Sequence, residues 1–326
     1  MFSTPPTKRQ RTDEDASAEA TDNADGTPKS YLWFEDGNVV LQAQDTLFRV
    51  HQSVLSLHSE VFSDMFKLPL PSDDTSQPMF EQGCPLISLS DSAEDLTCLL
   101  SNIYENCKKY DYRQAMEPRH AIALFRLGNK YGIEYLQKEI IDRLKTEFPS
   151  TLAAWDRSFD GQEGDFEVST DASWNEHERT AISNMAYEFD IQILLPAVYA
   201  ELSRQDNETL WNLKQSHNLN DQLLKTCLIG KEKLSRATLR YLSTLPHADL
   251  DPTRKCSHLI WGITEALSDG VCCLDPLFEL TQSVEIRTCE NCYPKFVEIY
   301  EAMREVLWDR LPSFFGLPKW EELKDS

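Results

Sequence analysis

The stretch that decides the fold is DGNVVLQAQDTLFRVH, residues 36–51, followed closely by SEVFSDMF, residues 59–66. Within the first stretch, two short β-prone runs, residues 39–41 and 47–50, flank the mostly polar residues 42–45. This pattern predicts a β-hairpin, since such side chains favour strands and a short polar segment favours a turn. Phe48 and Val50 then lie on the same face, because side chains alternate along a strand.

The second stretch predicts a helix, and more helices follow it. Val61, Phe62, Met65 and Phe66 recur at helical spacing. After a third predicted strand at residues 86–89, Ser92 and Asp95 form a capping-box pattern that begins a helix. Its apolar stripe consists of Leu96, Leu99, Leu100, Ile103 and Tyr104. Two further helices are predicted on either side of Gly132, which suits a helix C-terminus. Few, early strands and later helices predict an α+β domain.

The remainder of the chain is predicted to be mainly α-helical, because no strand-like alternation occurs after residue 150. We place a linker or loop at residues 149–174 and an α-helical C-terminal domain at residues 175–326. Ser173 and Glu176 form a second capping-box pattern, and Pro196 is expected to kink or break the helical run around it. Further helical stretches are predicted around Leu223–Leu245, Leu259–Leu267 and Phe296–Leu307.

Residues 1–29 are predicted to be a disordered tail, since they contain almost no apolar side chains. Lys8, Arg9 and Arg11 form a short basic cluster that fits either a nuclear-import signal or a solvated tail. No run approaches the ~20 apolar residues of a membrane span, and the N-terminus lacks the apolar stretch of a secretory signal. We therefore expect a soluble intracellular protein of the nucleus and/or cytoplasm.

The negative charge is distributed over the part of the chain expected to fold. The net charge is −22, with 32 Lys and Arg against 54 Asp and Glu. Residues 149–326 alone carry 17 basic and 30 acidic side chains, a net charge of −13. Such a surface repels phosphate backbones and anionic membranes, so direct nucleic-acid or membrane binding is disfavoured.

Sequence motifs of common enzymes are absent. The chain has no Gly-rich phosphate loop, no nucleophile elbow and no His-Glu-x-x-His zinc helix. We therefore expect a protein without enzymatic activity and without a small-molecule substrate.

The order of these motifs resembles the BTB/POZ domain family. The resemblance covers roughly residues 31–148, and we place the domain at residues 30–148. It is carried, in chain order, by residues 36–41 and 48–51, Leu55, residues 59–66 and 89–91, the helix Leu96–Tyr104 and the helices around Gly132. The segment lacks the extra N-terminal helix that some BTB proteins exchange in dimers, so self-association is possible but not implied.

The resemblance implies roles for individual residues. The domain signature and core would contain Asp36, Val39, Phe48, Val50, His51, Leu55, Phe62, Met65 and Phe66. Asp36 and His51 would lie near the top of the fold, either as a buried hydrogen-bonded pair or as two unrelated surface residues. Several BTB proteins bind a cullin through a hydrophobic–any–Glu motif in the loop after the corresponding helix. Met79, Phe80 and Glu81 satisfy this motif, although three residues also match by chance.

The C-terminal region resembles that of fungal, basidiomycete-type BTB proteins, which share the pattern seen here from Trp308 to Glu321. That subgroup often has a C-x2-C pair before its final helix, as at Cys289 and Cys292. Together with Cys256 and either His258 or Cys272, this pair could hold a structural zinc ion. The alternative is that these cysteines pack as small hydrophobic side chains and that the protein has no cofactor.

The resemblance implies a non-enzymatic protein that binds other proteins through its BTB/POZ domain, with a copy of itself and a cullin as candidate partners. A scaffold or regulator in the nucleus or cytoplasm is one version of this role. A substrate adaptor of a cullin-based ubiquitin ligase is another. A DNA-associated transcriptional regulator is the alternative of a different class.

Overall fold

The computed structural model describes residues 27–68, 79–80, 83–109, 116–158, 174–244, 274 and 293–324. The chain divides into two units, Met1–Asn106 and Cys107–Ser326. The predicted nuclear-import cluster, the predicted helix Leu259–Leu267 and the candidate zinc ligands all lie outside the described residues.

The first unit is built on a small mixed sheet. Its strands are β1 (Lys29–Trp33), β2 (Val39–Ala43), β3 (Thr46–Val50), β4 (Met79–Phe80) and β5 (Cys84–Leu89). Their order is β1-β3-β2-β5-β4. The predicted hairpin is confirmed, since β2 and β3 pair antiparallel with Leu41 opposite Phe48. The predicted third strand is β5, which pairs in parallel with β2.

Three helices accompany the sheet: α1 (Gln52–His58), α2 (Glu60–Lys67) and α3 (Ala93–Lys109). Ser59 caps α2, because its Oγ accepts a hydrogen bond from the Phe62 N–H at 3.0 Å. Ser92 Oγ accepts from the Asp95 N–H at 3.0 Å, which confirms the predicted cap of α3. The buried apolar side chains of this unit include Val39, Leu41, Phe48, Val50, Leu55, Phe62, Leu96 and Leu99.

The second unit is helical in its described part. Its α-helices are α4 (Pro118–Tyr131), α5 (Glu134–Glu147), α6 (Leu152–Arg157), α7 (Glu176–Glu188), α8 (Leu195–Arg204), α9 (Asn207–His217), α10 (Asp221–Thr244), α11 (Tyr293–Asp309) and α12 (Leu311–Phe314). A short 3-10 helix, Trp320–Glu322, follows. Gly132 ends α4 with a φ of 64°, the left-handed conformation predicted for it. No helix in the described ranges is long and apolar enough to span a membrane.

Three local predictions are corrected in this unit. The N-cap of α7 is Asn175, which forms a capping box with Glu178, whereas the predicted cap Ser173 lies outside the described residues. Pro196 lies in the first turn of α8 and does not kink a helix there, since proline lacks only an N–H that this turn leaves unused. The predicted linker contains α6, whose Trp155 is buried, so this part of it is helical.

A buried arginine joins α6 to α11. Arg304 is 1% exposed and forms hydrogen bonds with both carboxylate oxygens of Asp156. It also donates to Glu301 at 2.7 Å and to the Leu274 carbonyl at 3.0 Å. Burial lowers the pKa of this guanidinium, but the hydrogen bonds and charges of Asp156 and Glu301 outweigh it, and the net shift is upward. The buried cation is therefore compensated by partners from three segments.

The C-terminal sequence pattern forms packing contacts within the second unit. Trp308 lies against Trp155 at 5.5 Å and against Trp320 at 5.8 Å between ring centroids. Trp320 Nε1 donates to the Trp308 carbonyl at 2.8 Å. Phe315 stacks on Tyr199 at 4.5 Å. The pattern from Trp308 onward thus serves to hold the helices together.

Candidate protein-interaction surface

Most residues of the predicted BTB signature lie in the core. Val39, Phe48, Val50, Leu55 and Phe62 are each 0% exposed, so none of them is available to a partner. Phe66 stacks on Phe62 with ring centroids 6.0 Å apart and is only partly buried. Met65 is also partly buried. The signature therefore specifies the fold, and of its apolar residues only Met65 and Phe66 of α2 are partly exposed.

The predicted Asp36–His51 pair exists, but it is not buried as a whole. His51 Nε2 lies 3.2 Å from Asp36 Oδ1, and the side chains are 22% and 85% exposed respectively. The structure matches neither predicted alternative in full: the two residues do pair, but the turn that leads into β2 leaves the Asp36 carboxylate in solvent. An exposed pair of this kind contributes little to stability.

The sequence did not indicate a third member of this cluster, Tyr104 of α3. Tyr104 Oη accepts a hydrogen bond from the His51 backbone N–H at 2.9 Å and lies 3.3 Å from His51 Nδ1. Phe34 stacks on the Tyr104 ring at 4.7 Å. Burial raises the pKa of the Tyr104 phenol, the His51 N–H opposes this shift, and the Asp36 charge adds to it. The phenol stays protonated at neutral pH, so the cluster joins the end of β3 to α3 and supplies no base.

The outer face of α2 carries an apolar stripe, which we call the α2 stripe: Val61, Met65 and Leu68. Val61 and Met65 lie at i and i+4 and so share one side of the helix, and Leu68 is the extended residue that follows its last turn. Val61 is 44% exposed, Leu68 is 69% exposed and Met65 is partly buried. On the neighbouring helix α1, Leu57 is 81% exposed. Clustered exposed apolar side chains of this kind are typical of protein-binding surfaces.

Charged residues flank the α2 stripe. Glu60 and Asp64 are exposed, and Asp64 Oδ1 accepts a hydrogen bond from Lys67 Nζ at 3.1 Å. An apolar centre with a charged border is the usual composition of a protein–protein interface. The sequence placed Val61 and Met65 in one stripe with Phe62 and Phe66, but the structure separates an outer face from an inner face.

The predicted cullin motif lies partly in a strand. Met79 and Phe80 form β4, which pairs antiparallel with β5 at the end of the described sheet, with Met79 opposite Pro85. The resemblance implied a loop at this position. Glu81, the acidic residue of the motif, lies outside the described residues.

The described residues contain no group of three or more His, Cys, Asp or Glu side chains that could hold a metal ion. Cys84, Cys98 and Cys227 are buried and form no disulfide. The candidate zinc ligands from Cys256 to Cys292 lie outside the described ranges and stay a prediction.

Comparison with known families identifies the N-terminal fold. Residues 34–147 match the family model of the BTB/POZ domain. This segment is a BTB/POZ domain: a small mixed sheet with flanking helices, followed in the chain by a mostly helical C-terminal region. BTB/POZ is a family of protein-interaction domains and not of enzymes, so a general role in protein–protein interaction follows. No curated protein and no solved structure matches the chain.

Proposed function

We propose that this protein is a non-enzymatic scaffold or regulator, acting in the nucleus or cytoplasm, that binds a partner protein through the α2 stripe of its BTB/POZ domain. The observation that carries the proposal is the exposure of Val61 on the outer face of α2 and of Leu68 directly after the helix, while Phe62 on the inner face is buried in the core. Both side chains are already partly buried, so covering them against a partner would contribute less than the about 1.5–3 kcal/mol of a fully transferred apolar side chain for each one.

The experiment is affinity purification of the full chain from its native cells, followed by identification of the proteins recovered with it. The test variant combines Val61→Lys and Leu68→Lys, which place two charges on the α2 stripe, and lysine at position 61 is compatible with the helix. We expect recovery of the main partner to fall by about tenfold or more.

The matched control combines Leu228→Lys and Ile229→Lys, which alter side chains of similar exposure, 40% and 45%, on α10. Circular dichroism should show that both double variants fold. Unchanged recovery with the α2 variant, or an equal loss with the control, would contradict the assignment of this surface.

A substrate adaptor of a cullin-based ubiquitin ligase is the second candidate. It is favoured by the sequence match of Met79, Phe80 and Glu81 to the cullin motif, whereas Met79 and Phe80 lie in a strand and not in the loop that the motif implies. A Met79→Asp, Glu81→Lys variant in the same purification separates the two roles. Loss of a recovered cullin in this variant alone supports the adaptor. Recovery of chromatin or signalling proteins without a cullin supports the scaffold and makes the motif a chance match.

A further inference from the structure

A groove in the second unit combines positive charge with an apolar floor. It has a volume of about 770 Å³ and is lined by residues of α10, α11 and α12. We call it the basic groove, because four cationic side chains line it and none of its described lining residues is acidic: Lys233, Arg236, Arg240 and Arg310. The chain has a net charge of −22, so this group of cations forms a locally positive surface on a negatively charged protein.

The helical repeat of α10 brings three of these cations together. Lys233, Arg236 and Arg240 are exposed and occupy positions i, i+3 and i+7, which lie on one face. Arg236 pairs with Glu232 at 2.5 Å, but both side chains are largely exposed and the pair is screened by solvent. Within the described part of the chain, no carboxylate lies within 4.0 Å of Lys233 or Arg240. Among the described residues, Lys233 and Arg240 therefore carry positive charge that no ion pair offsets.

The floor of the basic groove is apolar. Leu307 is 1% exposed and Phe314 is 5% exposed, while Val306 at the side is 42% exposed. The Arg310 guanidinium lies 5.3 Å from the centroid of the Phe314 ring, which orients the cation beside the floor. Cations that border an apolar floor suit a ligand with acidic groups on one side and apolar groups on the other.

We propose that the basic groove binds an acidic amphipathic peptide segment of a partner protein. Its apolar side chains contact Val306 and cover the small exposed edge of Phe314, and its carboxylates pair with Lys233 and Arg240. A nucleic acid fits less well, because a phosphate backbone has no apolar groups to cover this floor. A long polyanion would also meet the repulsion of the whole chain. The inference does not depend on the α2 stripe, which lies in the other unit.

The test is a titration by fluorescence anisotropy. The probe is a fluorescein-labelled helical peptide with Leu on one face and Glu on the other, and the full chain is added at low salt and at about 0.15 M salt. We expect binding that weakens as salt rises. A Lys233→Glu, Arg240→Glu variant should bind the peptide about tenfold more weakly or worse, since two attractive contacts become repulsive.

Three comparisons make the outcome decisive. Lys225→Glu changes the same charge at an exposed position of α10 outside the groove and should bind like the unaltered chain. A probe with Gln in place of Glu should bind weakly. Val306→Ser should weaken peptide binding about threefold, because apolar area on the groove wall is lost.

Two results overturn the proposal. One is equal binding of the peptide by the unaltered chain and the double variant. The other is displacement of the probe by duplex DNA at equal or lower concentration, with no effect of Val306→Ser, which would make the groove a nucleic-acid site. Circular dichroism of each variant shows whether a loss reflects the groove or the fold.

Discussion

At the scale of single residues, burial controls the chemistry of two cysteines. Cys98 of α3 is 6% exposed, and burial, with the Asp95 and Glu94 charges, raises the pKa of its thiol to about 12. Burial raises the pKa of the Cys227 thiol to about 11, although a hydrogen bond with Ser203 opposes the shift. Both thiols are neutral in the folded protein near neutral pH, and a neutral thiol is a poor nucleophile.

We predict that iodoacetamide at about pH 8 leaves Cys98 and Cys227 unmodified in the folded chain and modifies both in urea. The pKa of each thiol is higher in the folded chain than its unfolded value of 9.0. Each neutral thiol therefore makes its full contribution to the free energy of unfolding below about pH 9. This contribution is lost as pH rises through about 11 for Cys227 and about 12 for Cys98. Peptide mapping by mass spectrometry measures the modification. Equal rates of iodoacetamide modification in the folded chain and in the urea-unfolded chain at about pH 8 would contradict the prediction.

The sequence indicated part of the polar cluster at this scale. Asp36 and His51 were paired by the family resemblance, and they do contact each other. Tyr104 was assigned to the apolar stripe of α3, since its spacing fits that stripe. Helical periodicity indicates the face of the helix on which a tyrosine ring lies, but it does not indicate which residue its hydroxyl group contacts. The partner of Tyr104 is 53 residues away in the chain, and only the fold brings the two together.

At the scale of elements, one glycine determines how closely the C-terminal segment approaches α10. A Cβ atom at Gly230 would lie 2.0 Å from a carbon of the Phe315 ring. That ring is 6% exposed and is stacked on Tyr199, so it has little room to move. Alanine normally stabilises a helix interior by up to about 1 kcal/mol relative to glycine. Here steric overlap opposes that gain, and overpacking costs about 1–3 kcal/mol.

We predict that Gly230→Ala lowers the free energy of unfolding by about 1–2 kcal/mol, the reverse of its effect at an open helical site. Urea denaturation followed by circular dichroism measures the change. Ser235→Ala, at an exposed position of the same helix, is the control and should be neutral or slightly stabilising. Adding Phe315→Leu to Gly230→Ala should restore part of the loss. A stabilised Gly230→Ala variant would show that the ring moves aside at little cost.

Elements with a strong local pattern were predictable, and those defined by distant partners were not. The β2–β3 hairpin and the start of α3 follow from alternation and from a capping serine. By contrast, β1 begins at Lys29 and pairs in parallel with β3, a contact that leaves no periodic signal in five residues. The α2 stripe was also missed as a surface, because an apolar side chain has the same period whether it faces the core or a partner. The basic groove combines residues of helices far apart in sequence.

At the scale of the whole molecule, the sequence family and the packing divide the chain differently. The BTB/POZ match extends to residue 147, whereas the packing places the division at Asn106 and Cys107. Helices α4 and α5 therefore belong to the domain by sequence and to the helical unit by contact. Phe125 of α4 is 1% exposed and meets Phe189 edge-on, with ring centroids 5.2 Å apart.

This arrangement predicts that the BTB/POZ segment alone is less stable than the same segment in the full chain. Residues 27–148 retain α4 but lose α7, so Phe125 becomes exposed and Arg126 loses its 3.3 Å pair with Glu188. We expect its thermal midpoint to fall by about 5 °C or more, and a Phe189→Ala change in the full chain to act in the same direction. Circular dichroism melting measures both. Trp211→Ala removes a ring that is 54% exposed and should leave the midpoint nearly unchanged. If residues 27–148 melt at the temperature of the full chain, the α4–α7 contact contributes nothing to the stability of the domain.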